Sequence, residues 1–180
     1  MTGHVPSGRL NEILLAALRI LQDEGPEALT MRRLAGALGI QAPSLYKHVR
    51  DKGVLEGLLQ QHAMAEFGRA VGAVGPDGHA VAAAYRRWAL ENPHLYELAV
   101  RGPVRAESGH ELHVAAAPLL RAVGGDPDGA LAFLGMAHGL VDLELNHHFP
   151  PGADIEAAWR YAVHALTAPS GALPERRKRS

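Results

Sequence analysis

The sequence predicts an all-α protein with about nine helices. Apolar residues recur three and four positions apart along most of the chain, which is the spacing of one helix face. Capping residues, glycines and prolines interrupt this pattern where helices would begin and end. No stretch alternates apolar and polar residues as a half-buried strand does.

Four helices are predicted in the first part of the chain. The first carries apolar residues from Leu10 to Leu21 and ends near Gly25-Pro26. Thr30 is a suitable N-cap for the second helix, and Gly39 supplies the left-handed residue that ends it. Pro43 fits the first turn of the third helix, since it lacks the N–H that would be unpaired there. The predicted spans are about 9–24, 31–38 and 43–49, followed by a longer helix that Asp51 caps.

Five more helices are predicted after a loop at residues 72–78. Asn92-Pro93 and Asp126-Pro127 restart the chain after breaks, and Pro118 is a point where a helix would bend. The predicted spans are about 80–90, 93–100, 107–123, 130–148 and 155–166. We therefore expect one helical domain over residues 8–55, a second over 56–168, and a basic, disordered tail over 169–180.

Composition excludes several classes of protein. The 180 residues are 47 % apolar and 21 % charged, which is typical of a globular protein. No run approaches the roughly 18 consecutive apolar residues of a membrane helix, and the first residues do not resemble a signal peptide. We expect a cytoplasmic protein with no membrane partner. Because the chain has no cysteine, disulfides, thiolate zinc sites and cysteine nucleophiles are excluded.

Charge is unevenly distributed along a chain whose net charge is -1. Residues 30–52 hold five basic side chains and one acid, Asp51, whereas residues 61–173 hold seven basic and twelve acidic side chains. A basic segment on an acidic body is typical of a protein with one face for a polyanion.

The second and third helices have the dimensions of a helix-turn-helix, two short helices joined by a turn that contains glycine. The segments Leu29-Thr30-Met31-Arg32-Arg33-Leu34-Ala35, Leu38-Gly39-Ile40 and Pro43-Ser44-Leu45-Tyr46-Lys47-His48-Val49 resemble the DNA-binding domain of the TetR family of repressors. Leu45-Tyr46-Lys47-His48 matches the Leu-Tyr-x-His core of that family. The resemblance covers Leu10 to about Phe67 without a gap and implies a dimeric repressor that binds a palindromic operator. It implies that residues 8–55 are a DNA-binding domain and residues 56–168 a regulatory and dimerisation domain.

The carboxyl half is similar to a regulatory-domain subgroup of that family, the WHG type. The similarity rests on Tyr85-Arg86-Arg87-Trp88-Ala89-Leu90, on Asn92-Pro93-His94-Leu95-Tyr96-Glu97-Leu98 and on His138-Gly139-Leu140. The subgroup has a tryptophan a few residues before its His-Gly pair, whereas this chain has Leu134, Gly135 and Met136 there.

The third helix is the predicted recognition helix. Leu45 and Val49 face inward, so Ser44, Lys47 and His48 point away from the core. Gln41 is suited to adenine and Lys47 to guanine or phosphate, while the methyl group of Ala42 either meets a thymine methyl or marks a poor cap. Hydroxyl, imidazole and ammonium groups suit phosphate. The predicted DNA contacts are Thr30, Gln41, Ala42, Pro43, Ser44, Tyr46, Lys47, His48 and Lys52; the alternative is a solvated polar helix face.

Arg32 and Arg33 stay off this list. A cation in the first turn of a helix interacts unfavourably with the helix dipole, and a bound phosphate would offset this interaction. An internal carboxylate would do so equally well, so neither arginine is assigned to DNA.

The segment 130–148 is apolar on nearly every side, so we expect every side of this helix to be buried against other helices. A second subunit would supply it through a two-fold four-helix interface with the last helix. The predicted interface residues are Phe133, Leu140, Leu143, Trp159 and Val163. The alternative is burial of this helix within one protomer.

Polar and aromatic residues of the carboxyl half are candidates for an effector site. Tyr85, Trp88 and Tyr96 would line a cavity with His138 or Asp142 as polar anchor. The alternatives are that the aromatic residues are ordinary core and that Asp142 caps or bridges at the dimer seam.

We expect no cofactor, no metal site and no enzymatic activity. The nearest approach to a metal cluster is His147-His148 with His110 and His113, but adjacent histidines on a helix diverge by about 100°. No nucleophile triad, paired carboxylate or phosphate loop is present. The sequence therefore predicts a homodimeric DNA-binding repressor released by a small apolar effector. The alternative is a small-molecule binding or detoxifying protein without an operator.

Overall fold

A computed structural model describes residues 8–101 and 109–168 of the chain. Within these ranges the fold consists of nine α-helices, one 3₁₀ turn at Pro26–Ala28 and no strand, as the sequence predicts. The helices are α1 (Gly8–Glu24), α2 (Met31–Ala37), α3 (Ala42–Tyr46), α4 (Lys52–Gly72), α5 (Gly78–Glu91), α6 (Pro93–Arg101), α7 (Gly109–Ala122), α8 (Pro127–Leu145) and α9 (Ile155–Thr167).

The first three helices pack around a small apolar core. Thr30 caps α2 as predicted, and Gly39 takes the predicted left-handed conformation, with φ of 65°, where the chain turns toward α3. The recognition helix α3 is two residues shorter than predicted. Its last turn tightens, because the N–H groups of His48 and Val49 both donate to the carbonyl of Leu45.

Helix α4 connects the two halves of the molecule. Its N-cap Asp51 accepts a hydrogen bond from the backbone N–H of Val54 at 2.8 Å, as the sequence predicts. The helix then runs on for 21 residues and packs against α1, α5, α6 and α7. It therefore crosses the predicted boundary at residue 55, so a movement of α4 would affect both parts of the protein.

The long apolar helix α8 ends three residues before the predicted position. His147 adopts a positive φ of 55°, and the N–H of His148 donates to the carbonyl of Leu143 at 2.8 Å. This arrangement closes the helix with a left-handed residue. Periodicity could not reveal it, because a histidine in that conformation is uncommon.

Three predicted interface residues lie in the core of the protomer itself. Phe133, Trp159 and Val163 are 0 %, 5 % and 1 % exposed. Because α8 and α9 pack against α5, these side chains are already covered inside one chain. The prediction that they form the dimer interface is wrong, and the alternative of burial within the protomer holds for them. Leu140 and Leu143 remain half-buried at the surface.

None of the helices in the described ranges has the length and apolar character needed to cross a membrane. The tail at 169–180 and the break at Gly102-Pro103 lie outside the described residues. So do the side chains of His110 and His113.

Candidate nucleic-acid interface and regulatory site

The nine predicted DNA contacts lie at the N-cap of α2, in α3 with its flanking residues, and at the start of α4, and we call these residues the helix-turn-helix surface. Leu45 and Val49 are fully buried, so α3 is held from its inner side. Seven of the nine residues are exposed, among them Tyr46 at 49 %. Ala42 and Ser44 are half-buried. The exposed group is Thr30, Gln41, Pro43, Lys47, His48 and Lys52, together with Tyr46.

The start of α3 differs from the prediction by one residue. Gln41 is the N-cap residue, Ala42 is the first helical residue and Pro43 the second. Ala42 therefore does not cap the helix, and the alternative that it marks a poor cap is wrong. Its methyl group packs partly against the core, which leaves less of it available to a base.

Thr30 has a structural task at this surface. Its Oγ1 accepts a hydrogen bond from the backbone N–H of Arg33 at 3.1 Å. An accepting hydroxyl keeps its own proton available to donate. Thr30 is thus able to cap α2 and to bind a phosphate oxygen at the same time.

Ion pairs decide which cations of this surface are free. The guanidinium of Arg33 holds the carboxylate of Glu24 through Nε at 3.0 Å and Nη2 at 2.5 Å, and this pairing raises the pKa of Arg33. Arg50 pairs with Asp51, and Lys52 lies 3.6 Å from Glu56. These pairs are exposed and therefore weak, so a phosphate is able to replace the carboxylate.

Arg32 and Lys47 are the two basic side chains of the segment that pair with no carboxylate of the described residues. The alternative that an internal carboxylate holds an arginine is therefore correct for Arg33 and not for Arg32. Arg32 is exposed beside Thr30. Arg32 was not among the predicted DNA contacts, because an internal carboxylate would hold an arginine at this position as well as a phosphate.

The predicted effector residues form a packed aromatic cluster. Tyr85, Trp88 and Tyr96 are 1 %, 7 % and 4 % exposed. Phe67 of α4, which the sequence analysis did not select, contacts Tyr85 and Trp88 edge to face, with ring centroids 5.0 Å and 5.3 Å away. Such pairs stabilise a core by about 0.5 to 1.5 kcal/mol each. The aromatic rings therefore fill the space that an effector would need.

A chain of hydrogen bonds leads from this cluster to the surface. The hydroxyl of Tyr96 lies 3.3 Å from the hydroxyl of Tyr85 and 2.5 Å from Nδ1 of His138. Burial raises the pKa of both tyrosines, and for Tyr96 the nearby Tyr85 and Asp142 raise it further. Both hydroxyls thus stay protonated. His138 is half-buried, so the chain connects α5 and α6 with the accessible side of α8.

Asp142 lies one turn beyond His138 and does not join the aromatic cluster. Its Oδ1 accepts a hydrogen bond from Nδ2 of Asn146 at 3.0 Å. Asp142 lines an open groove of about 520 Å³ between α8 and α9, which we call the α8–α9 groove. Its lining residues are Gly135, Met136, Gly139, Leu140, Asp142, Leu143 and Ala162.

A second polar cluster went unrecognised in the sequence. Glu144 accepts hydrogen bonds from Arg86 at 2.8 Å and from the indole N–H of Trp159 at 2.7 Å, and Arg86 also pairs with Glu156. The Arg86 guanidinium lies 5.7 Å from the centroid of the Trp159 ring. This cluster fixes α5, α8 and α9 to one another. Its members are far apart in the chain, so no local pattern could have revealed it.

Helices α1 and α6 contact each other and so join the DNA-binding part to the regulatory part. The imidazole of His94, at the start of α6, lies over Gly25 at the end of α1, where a Cβ atom would sit 3.7 Å from the ring. Tyr96, two residues further along α6, belongs to the hydrogen-bond chain. Helix α6 therefore touches both the candidate regulatory site and the helix-turn-helix domain.

Among the described residues there is no group of three or more histidine, aspartate or glutamate side chains placed to hold a metal ion.

Comparisons with known proteins place both halves of the chain. Residues 13–55 match the family described as bacterial regulatory proteins, tetR family, and residues 79–166 match the tetracyclin repressor-like, C-terminal domain. An uncharacterised HTH-type transcriptional regulator of Mycobacterium tuberculosis is 31 % identical over 74 % of this chain and 68 % of its own length. The chain belongs to the TetR family of bacterial transcriptional regulators. The WHG subgroup stays a prediction.

Other TetR proteins match over shorter stretches. The class E tetracycline repressor of Escherichia coli is 42 % identical over 57 residues, which are 32 % of this chain. The matched part spans about a quarter of that repressor, 27 % of its length.

Two solved structures have the same fold. The multidrug binding protein EbrR, complexed with imidazole, superimposes with a TM-score of 0.70 at 22 % identity and covers 93 % of this chain and 100 % of its own. BioQ with its natural double-stranded DNA operator superimposes with a TM-score of 0.61 at 21 % identity, over 88 % and 98 %. At these identities the likeness shows the fold.

Proposed function

We propose that this TetR family member is a homodimeric repressor that binds a palindromic operator through the outer surface of α3. The observation that carries the proposal is that α3 and the residues on either side of it divide into a buried and an exposed side. Leu45 and Val49 hold the helix in the core, while Gln41, Lys47 and His48 stand free on the other side. The relation of BioQ to its operator supports DNA as the ligand of this fold. A protein that binds the chromosome of a bacterium works in the cytoplasm.

The proposed contacts divide into two groups. Gln41 is the N-cap of the recognition helix, Ser44 lies within it and Lys47 is its C-cap, and these three side chains would read base edges. Thr30, Tyr46, His48 and Lys52 surround them and would bind phosphates, which position the protein without specifying sequence. We add Arg32 to the phosphate group, because it is exposed and pairs with no described carboxylate.

A dimer follows from the size of the recognition helix. One helix of five residues reads only a few base pairs, so a specific site needs two copies related by a two-fold axis. Helix α9 is suited to this contact, since Tyr161 is 78 % exposed there. On α8, Leu140 and Leu143 are half-buried and line the α8–α9 groove together with Ala162 of α9. Exposed apolar side chains near one another are typical of an interaction site. The proposed interface thus uses Tyr161 together with Leu140 and Leu143.

The proposal includes release of the operator by a small effector. Since the aromatic cluster is filled in this conformation, an effector would have to enter between Tyr96 and His138 and shift α6. Such a ligand acts only if it prefers the released state, and a hundredfold preference corresponds to about 2.7 kcal/mol. The contact between His94 and Gly25 would carry the shift to the helix-turn-helix domain.

Selection of bound genomic fragments, followed by titration of variants, tests this proposal. Ser44→Ala and Lys47→Ala should each change which bases are preferred, by about 1 to 3 kcal/mol, whereas Lys52→Ala should weaken all sequences alike and lower the salt slope by about one. Arg160→Ala is the matched control, because it removes one exposed positive charge from α9, away from α3. An unchanged base preference in both α3 variants would contradict the assigned orientation of α3. A wild-type protein without sequence preference would favour the small-molecule binding protein.

A further inference from the structure

Helix α9 carries an exposed aromatic side chain next to the α8–α9 groove. Tyr161 is 78 % exposed, more than any other large apolar residue of the described chain. It precedes Ala162, which lines the α8–α9 groove. A tyrosine so exposed gains almost nothing from its own protomer.

The α8–α9 groove exists because two residues one turn apart lack side chains. A Cβ atom added at Gly135 or Gly139 would meet no atom within 4 Å. Glycine inside a helix costs roughly 0.5 to 1 kcal/mol relative to alanine. Nothing within the protomer requires the glycines, so the space that they leave points to an occupant from outside.

We propose that Tyr161 of each protomer inserts its ring into the α8–α9 groove of a second copy and donates its hydroxyl proton to Asp142 there. This inference rests on the proposed homodimer and assigns what fixes its register. In a two-fold interface, a projection away from the axis must meet a recess on the same face of the partner, and the contact occurs twice.

Size and chemistry of the two features agree. A cavity of roughly 150 Å³ is enough for a benzene ring, and the groove measures about 520 Å³. Met136, Leu140 and Leu143 offer apolar contact to the ring. One carboxylate oxygen of Asp142 is held by Asn146, whereas the other has no hydrogen bond from the described residues. A tyrosine in a desolvated pocket is a frequent anchor of protein interfaces.

Small residues allow the close approach that this insertion needs. Ala158 and Ala165 precede and follow Tyr161 at helical spacing on α9, and Ala165 is exposed. With alanine and glycine around the projecting ring, the helices of two copies are able to approach until the ring fills the groove.

Mixing two complementary variants tests the proposal. Tyr161→Ala removes the projection, and Gly139→Phe fills the recess. Each variant alone should dimerise at least tenfold more weakly than the wild type, measured by sedimentation over a concentration series. The two variants together should form a heterodimer tighter than either homodimer, because the intact tyrosine of one meets the open groove of the other. Arg160→Ala, a neighbouring exposed change, should leave the dimer unaffected.

Two further variants separate the ring from its hydroxyl and guard against misfolding. Tyr161→Phe should keep most of the affinity, whereas a loss as large as that of Tyr161→Ala would contradict the fit of the ring. Gly135→Leu fills the same groove with a smaller side chain if Gly139→Phe does not fold. If the wild type dimerises and Tyr161→Ala dimerises equally well, the inference is wrong and the proposed function stands. A wild type that stays monomeric with and without DNA would overturn both.

Discussion

Thr30 is expected to perform two tasks that different substitutions separate. Its Oγ1 caps α2 through the N–H of Arg33 at 3.1 Å, while its hydroxyl proton is free for a phosphate. Thr30→Ser keeps both tasks. Thr30→Ala removes both. Thr30→Asp keeps the cap, since aspartate is a preferred N-cap residue, but places a negative charge where the phosphate would bind.

The magnitudes differ between the two readouts. Loss of a threonine cap costs about 1 kcal/mol of unfolding free energy, so Thr30→Ala should be destabilised by that amount while Thr30→Asp stays within about 0.5 kcal/mol of the wild type. Two like charges about 4 Å apart repel by about 1 kcal/mol in bulk water and by more near a protein surface. Thr30→Asp should therefore lose at least about tenfold in DNA affinity without losing stability.

Urea unfolding at one fixed protein concentration measures the change in stability. Fluorescence anisotropy with the selected operator, at one fixed salt concentration, measures the change in DNA affinity. Asp77→Ala is the matched control. It removes the cap of α5, where Asp77 accepts a hydrogen bond from Ala80 N–H at 2.9 Å, and should reduce stability without changing base preference or salt slope. Wild-type DNA affinity in Thr30→Asp would refute the placement of Thr30 at a phosphate.

Three further predictions concern other parts of the fold. Gly78→Ala should lower the unfolding free energy by about 1 to 3 kcal/mol, because the new Cβ would lie 2.5 Å from Cγ2 of Thr167; Gly72→Ala, with its nearest contact at 3.9 Å, should not. Hydrogen bonds from the N–H of Val54 and from Arg50 lower the pKa of Asp51, so ionised Asp51 stabilises the protein above the ordinary aspartate pKa, and this contribution is lost as pH falls through its lower folded value. The difference in stability between wild type and Asp51→Asn should thus shrink in acid unfolding curves. Tyr96→Phe should cost about 1 kcal/mol in urea unfolding, since it interrupts the hydrogen-bond chain to His138.

Helix positions were accessible from the sequence because their signals are local. Thr30, Gly39 and Asp51 act on backbone groups within a few residues, and the structure places each in its predicted role. The inward side of α3 was likewise visible in the spacing of Leu45 and Val49. The early end of α8 was not, since it depends on a left-handed histidine that no pattern marks.

Contacts between distant segments could not be predicted, because their partners lie far apart in the chain. Periodicity shows that Trp159 faces inward, but it does not show whether the cover comes from the same chain or a second one. The cover is Glu144 and Arg86 of the same protomer. In the same way, the basic count of residues 30–52 did not reveal that Glu24 neutralises Arg33.

The most direct test of the central claim, that the protein binds a specific operator, is a comparison of two affinities of the wild-type dimer. One is for the selected DNA site and the other for a scrambled site of equal length at the same salt concentration. We predict a palindromic site with half-sites about 34 to 36 Å apart, bound by two protomers at least about 10³-fold more tightly than the scrambled site. Equal affinity for both sites, falling steeply with added salt, would show only nonspecific phosphate binding and would contradict the account.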